Sequence, residues 1–575
     1  MYYYLKEVLR RLTLYFRKAD TFKWELSEAE KKKLETATRK NFLPCLELVN
    51  KFADGGTFEI VLNYTHRDTD LPQTQSYDVF IQPSINKGLD FKITALDGIP
   101  VGGVKYKESY GLDLSLRLTK DDKNYSVNKN SVFNFSNNFP SIPSIVTGSF
   151  SHFQSDNAED AKTFRRTLIR VDDPDMMYPT SILEFGKNYM KFDDSDWDWQ
   201  KSLIGLPFVS TKGMFVNVTI KEDHFHFYAL EPINSFVIDS TAKIEKDRFF
   251  RTCLAIRTSF AFLSGKFYRD QVVYFSAPEV EFTTISNFEI QCEPQSIITE
   301  NQITNPRFFR EGYDTRSDDV KKLWGPHLRN FSAAVFSNLC EKLFDSTELF
   351  RAVELIVNAG SIEDPVQKGA LYSVALETLT EYYKANNEEV FKPVKDKVVA
   401  KEFTESLESQ LETIKSKLAS NDYTTLKRKI ANINSPTNKD KLTKPFELLS
   451  INLSDEDKKM LDERNRYLHG DRPKSAETEM ELLNIAHHLH TLAAKLVLKI
   501  AGYSGHIIHL PSWYVVRNKD NFSRFNADEV LKTFDKIDAG DFSTIEELGH
   551  AKQVIEKYQR ALETSKAAEK LIQII

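Results

Sequence analysis

The apolar pattern changes period once along the 575 residues, and this change restricts the fold more than any other feature. From residue 54 to about residue 300, apolar and polar residues alternate in short runs, the first being Thr57-Phe-Glu-Ile-Val-Leu-Asn-Tyr, and clusters of Pro, Gly, Asn and Asp separate them. Alternation with turn residues between predicts half-buried strands. Further strands are expected at 77–82, 89–95, 111–119, 145–152, 163–171, 179–192, 207–220, 224–230 and 271–284. So many short strands suggest a β-sandwich or distorted barrel over 51–300. One helix, Glu245 to Leu263, interrupts it, with Phe249, Phe250, Cys253, Leu254 and Phe260 expected on its inner side.

Beyond about residue 318 apolar residues recur every three or four positions. Helices are expected at 318–344, 346–358, 364–386, 388–419, 422–432, 454–468 and 475–501. The first 50 residues also read as helix, with Leu5, Val8, Leu9, Leu12 and Phe16 on one stripe and a charged helix from Ser27 to Arg39. The expected fold class is therefore α+β and multidomain. A helical segment (1–50) precedes a β-rich domain (51–300), an all-α helical bundle (318–505) and a helical extension (506–575).

Several functions are set aside. With 77 basic and 83 acidic residues the formal net charge is −6, which excludes a chain-wide basic surface. The four cysteines lie far apart with no Cys-x-x-Cys pair, so neither a cysteine zinc site nor a disulfide framework is expected. No Gly-x-x-x-x-Gly-Lys-Ser/Thr loop occurs. The charged start is no signal peptide, and no apolar run reaches a membrane span of ~18 residues. A cytoplasmic protein with no membrane partner is expected. The acidic run Asp193 to Trp199 lacks the Gly and Glu of a calcium loop. His224 and His226 alternate on one strand beside Phe225 and Phe227, which suits a core strand. His487, His488 and His490 lack the i, i+4 spacing of a helical metal pair and read as partly buried or surface histidines. No metal or cofactor is expected.

One segment stands apart, Ser454 to Pro473. Ser454 is a plausible N-cap, with Asp457 three residues on to reach back. Gly470 and Pro473 close the helix. Met460, Leu461 and Leu468 form an apolar stripe, and Arg464 lies on it. A charge on a buried seam is costly unless it has a partner. His469 follows at the helix end. A guanidinium fork binds phosphate and stays charged, and histidine titrates near neutrality. Such a pair could cleave RNA without metal. The His would assist attack by the ribose 2′-hydroxyl or protonate the leaving oxygen, and the Arg would stabilise the developing charge. Five residues of ideal helix turn by about 140° and rise ~7.5 Å. Either the helix breaks at Leu468-His469-Gly470, or a partner subunit completes the site. An Arg and a His at this spacing also arise by chance, so the bland alternative is an Arg paired to Glu463 or another acid and a surface His.

Arg464-Asn465-Arg466-Tyr467-Leu468-His469 resembles the Arg-polar-x-x-x-His signature of HEPN domains. The helix from Gly369 through Glu377 resembles the family's first core helix, and the helix after the motif fits the one packed behind it. The layout, and Phe-Leu-Ser-Gly at 262–265, is similar to ApeA-type bacterial anti-phage proteins. The resemblance implies a HEPN endoribonuclease acting by abortive infection, with Arg464, Asn465 and His469 catalytic and Glu377 behind them. It implies a homodimer through the HEPN domain, RNA (tRNA among the candidates) as substrate, and a β-rich domain that restrains or triggers cleavage, a phage protein being one trigger. RNA would need a basic surface. Lys427, Arg428, Lys429 and Lys441, in a loop-like stretch over 424–444, and Arg466 are candidate RNA-binding residues; a solvated connector is the alternative reading. The rival function is a non-catalytic HEPN-like RNA-binding or dimerisation module fused to a ligand-binding β-sandwich.

Overall fold

The computed structural model describes residues 42–53, 56–63, 75–84, 88–95, 115–120, 123–127, 132–136, 144–150, 152–155, 162–170, 215–230, 235–269, 271–293, 296–299, 333–468, 470, 475–512 and 572–574. The expected helices before residue 41, the strand at 179–192 and the helix start at 318–332 lie outside these residues. The chain divides into two compact units. One comprises 1–257, 266–297 and 330–341, and the other 258–265, 298–329 and 342–575.

The first unit is β-rich. Helix α1 (Leu43–Ala53) precedes β1 (Gly56–Asn63), β2 (Gln75–Ser84), β3 (Gly88–Ala95), β4 (Ser115–Lys120), β5 (Lys123–Val127), β6 (Val132–Ser136), β7 (Ser144–Phe150), β8 (His152–Ser155), β9 (Phe164–Arg170), β10 (Phe215–Ile220), β11 (Asp223–Leu230) and β12 (Ser235–Ser240). Then come α2 (Lys246–Ser264), β13 (Lys266–Phe267), β14 (Gln271–Ala277), β15 (Asn287–Cys292) and β16 (Ile297–Ile298). Fourteen strands pair edge to edge in the order β10-β11-β12-β9-β14-β15-β8-β5-β4-β1-β2-β3-β7-β6, antiparallel throughout. Among the described residues the ladder is continuous and ends at β10 and β6, and the β-rich then helical order is as expected.

Strands β9, β12 and β14 sit inside this ladder and are buried on both faces, so their polar residues need internal partners. The sequence of β9 places Arg165 and Arg166 on opposite faces. Arg166 is fully buried. Its Nε lies 2.8 Å from Asp239 Oδ1, and its guanidinium lies 4.0 and 4.1 Å from the ring centres of Phe42 and Phe282. Tyr228 donates to the other Asp239 oxygen at 2.7 Å. On β11, Phe225 and Phe227 fill the core as expected, and His224 instead meets Thr219 Oγ1 at 3.1 Å. On α2, Phe249, Cys253 and Phe260 are buried, whereas Leu254 is exposed, against expectation.

The described helices that follow are α3 (Ala333–Asp345), α4 (Thr347–Gly360), α5 (Pro365–Asn386), α6 (Glu388–Phe391), α7 (Lys397–Thr413), α8 (Ser420–Ala431), α9 (Asn438–Leu448), α10 (Asp455–Glu463), α11 (Asn465–Leu468) and α12 (Ala476–Ile500). In the second unit α5 packs on α4 and α12. Asp364 caps α5, accepting from Gln367 N at 2.8 Å, and Pro365 takes the first turn, where its missing N–H costs nothing. Tyr372, Leu376, Leu379 and Tyr383 then bury at helical spacing.

The single helix expected at 388–419 is broken. Pro393 holds Lys392 extended (φ −71°, ψ 130°), and Asp396 caps a new helix by accepting from Val398 and Val399 N. The helix expected at 422–432 is α8, but the rest of the stretch at 424–444, expected to be loop-like, is helical from Asn438 in α9. Thr437 caps α9, and Pro445 sits inside it. Paired bonds between Asn434 and the Val394 backbone (2.8 and 3.0 Å) tie together the two ends of the α7–α8 hairpin. The expected helical extension begins and ends as a two-stranded ladder of β17 (His506–Ile508) and β18 (Ile572–Ile574); 513–571 lie outside the described residues.

Candidate active site

The capping box read from the sequence is present. Ser454 Oγ accepts from Asp457 N at 3.1 Å, and Asp457 Oδ2 accepts from Ser454 N at 2.9 Å. The other Asp457 oxygen meets His488 Nε2 of α12 at 2.8 Å, so one side chain caps α10 and fastens it to the core. Burial alone would raise the Asp457 carboxyl. His488, the Lys495 ammonium and the Ser454 bonds outweigh that and hold it well below the usual carboxylate range. His487, His488 and His490 are all buried, contrary to the partly exposed positions expected. His490 stacks on Tyr372 at 4.7 Å, and His488 lies edge-on to His509 at 4.9 Å.

The helix breaks earlier than the Leu468-His469-Gly470 position. It ends at Glu463, Arg464 forms the cap (φ −53°, ψ −27°), and α11 is one further turn. Gly470 follows with φ +73°, a conformation that favours glycine. Leu461 is buried as expected, but Leu468 is 44% exposed and leaves the stripe. Tyr467 takes its place. It is buried, its hydroxyl donates to Leu482 O, and its ring lies against Gly369 of α5, where a Cβ would come within 2.3 Å of Cε1. The break rotates the last turn, so Tyr467 and not Leu468 faces the core.

Arg464 is 6% exposed. Its Nη1 donates to Glu377 Oε1 of α5 at 3.1 Å and to Asn465 Oδ1 at 3.2 Å. Its Nε is buried with no acceptor among the described residues. The Glu377 side chain is 47% exposed, so the guanidinium sits at the edge of the core, beside a carboxylate that water also reaches. The structure thus brings together Arg464, Asn465 and Glu377, which are up to 87 positions apart. His469, the expected proton-transfer residue, lies outside the described residues.

The expected RNA-binding residues divide. Lys427, Arg428 and Lys429 are exposed on α8, which packs on α7. Lys441 is half-buried on α9, which packs on α5 and α10 beside the motif. Arg466 pairs with Glu481 at 2.9 Å and Glu463 at 3.5 Å. Sequence reasoning missed the Gly369–Tyr467 contact and the Asp457–His488 pair. The one available signal was a glycine inside a strong helix.

No protein-family model, curated protein or solved structure matches the chain. Among the described residues no three His, Cys, Asp or Glu side chains group as metal ligands, and no helix is long and apolar enough to cross a membrane.

Proposed function

We propose that the chain is a metal-independent endoribonuclease of the HEPN type that acts in anti-phage defence by abortive infection, with its β-rich unit controlling the nuclease. The observation that carries this reading is Arg464, a permanently charged group buried at a helix break and held by Asn465 and Glu377. Burying a guanidinium is costly unless it has a role there, and its planar fork at the edge of the core suits a phosphate oxygen. In this mechanism Arg464 stabilises negative charge on the phosphorane, and Asn465 fixes the guanidinium plane. Glu377 acts through Arg464 as a positioning residue. His469 moves the proton between the 2′-hydroxyl, the leaving 5′-oxygen and solvent. A homodimer would set two such motifs face to face.

The test is cleavage of total RNA with EDTA present. Products ending in 2′,3′-cyclic phosphate are expected, DNA should be spared, and Arg464→Ala and His469→Ala should each be inactive while folded. Full cleavage by folded His469→Ala would sink the assignment. The Glu377 contact also favours a second reading, in which Arg464 is a structural ion pair in a non-catalytic RNA-binding or dimerisation module. RNA binding without cleavage by the unmodified chain would select it.

A further inference from the structure

The β-rich unit holds a cavity of about 280 Å³ that the ribonuclease reading does not use. Its floor is set by register. Arg165, Ser276 and Asn287 stand side by side across β9, β14 and β15, and Tyr274, Glu289 and Gln154 form a second row across β14, β15 and β8. Positions two apart along a strand share a face, so both rows point the same way. The first turns of α2 stand over them. Phe250 lies 4.2 Å from the Tyr274 ring, and Lys246 reaches Glu289 Oε2 at 2.6 Å and Gln154 Oε1 at 3.2 Å.

Polar side chains buried on a sheet normally satisfy one another. Here the internal bonds leave donors over. Arg165 is anchored on Ile244 O at 2.9 Å and Ser276 Oγ at 2.8 Å. Asn287 is at least nine-tenths buried. Its Oδ1 accepts from Ser155 at 3.0 Å, while its Nδ2 has no acceptor among the described residues. The hydroxyl of the otherwise buried Tyr274 likewise has none, and burial of the side chain pushes its pKa far up, so it stays a donor. Glu289 is engaged by Lys246 and by His152 Nε2 at 2.7 Å, and these partners keep its carboxyl low despite burial. The described lining carries two cations and one carboxylate, an excess of one positive charge.

We propose that this cavity binds a small organic anion, a carboxylate or a phosphate monoester. Its oxygens take the Tyr274 and Asn287 donors in the field of Arg165 and Lys246, and its apolar part lies on Phe250. The volume lies near the lower end of the range for ligand sites, roughly 300–1,000 Å³, so the ligand is no larger than a nucleoside monophosphate.

Calorimetric titration of the full chain tests this with uridine 5′-monophosphate, phenylacetate and inorganic phosphate. Saturable one-to-one binding is expected for one of the organic anions, tighter than for phosphate, and the one preferred identifies the ester or the carboxylate as the source. Asn287→Asp turns the free donor into a like charge and should weaken binding at least tenfold. Tyr274→Phe, which removes one oxygen, should weaken it about threefold to tenfold and carries the test if Asn287→Asp does not fold. Arg464→Ala should bind as the unmodified chain does. No binding by any probe, unchanged binding by folded Asn287→Asp or Tyr274→Phe, or loss of binding in Arg464→Ala would overturn the proposal.

Discussion

Adding one methyl group at Gly369 should disturb the motif turn from the far side of the core. A Cβ there would lie 2.3, 2.4 and 2.6 Å from Cε1, Cζ and Cδ1 of Tyr467. Carbon atoms rest about 3.5–4.0 Å apart, so the ring must retreat by more than ~1 Å. It has little room, because it is buried and its hydroxyl is bonded to Leu482 O. Overpacking of this kind costs about 1–3 kcal/mol, and an overlap this deep against a fixed ring belongs at the upper end. Replacing a mid-helix glycine by alanine returns up to about 1 kcal/mol. Gly369→Ala should therefore lose about 2 kcal/mol in urea unfolding, or ~4–8 °C in Tm for a unit of this size. Combining it with Tyr467→Leu should reverse the sign, since without the ring only the helix gain remains, and the double-mutant cycle should show a coupling of ~3 kcal/mol. Because Tyr467 belongs to the turn after Arg464, cleavage should also fall, by up to ~100-fold for a 1 Å misplacement. A Gly369→Ala protein as stable as the parent, with Tyr467 in place, would refute the reasoning.

Three further outcomes are expected. The low Asp457 carboxyl stabilises the fold above the ordinary carboxylate pKa of ~3.9, and this contribution is lost as pH falls from there towards the folded value. Asp457→Asn should cost about 1.5–3 kcal/mol at pH 7 and progressively less below pH ~4; a gap that stays constant in urea titrations down to pH 3 would contradict this. Asp239→Asn strands the fully buried Arg166 and should cost ~3–5 kcal/mol, whereas pairing Arg166→Met with Asp239→Leu should recover most of it, as calorimetry would show. Replacing Lys427, Arg428 and Lys429 together by Glu should weaken RNA binding and flatten its salt dependence, and an unchanged slope in filter binding would show that α8 does not face RNA.

The order of a β-rich region before a helical one was legible because hydrophobic period is a local property. So were the bounds of α5 and α12 and the Ser454–Asp457 cap, each decided within a few residues of sequence. Arg464 was visible for the same reason, as a charge at an apolar position of a helix. Its partner Glu377 and the neighbouring Asn465 were named through the family resemblance; the hydrogen bonds that join them to Arg464 came from the fold.

Only tertiary structure decided the rest. Whether the strands close, stack or run on as one ladder depends on which edges pair, and alternation is the same in each case. Polar residues such as Arg166, His488 and Asn287 resemble surface residues in a one-dimensional pattern. Folding places them inside because partners far away in sequence satisfy them, or, for Asn287, satisfy them only in part. The one-residue shift that buries Tyr467 and exposes Leu468 accompanies a break at Arg464. At that break Arg464 bonds to another helix, and a glycine 98 positions before Tyr467 leaves space for its ring. Local propensity is blind to such a vacancy, since it exists only when two distant segments are brought against each other.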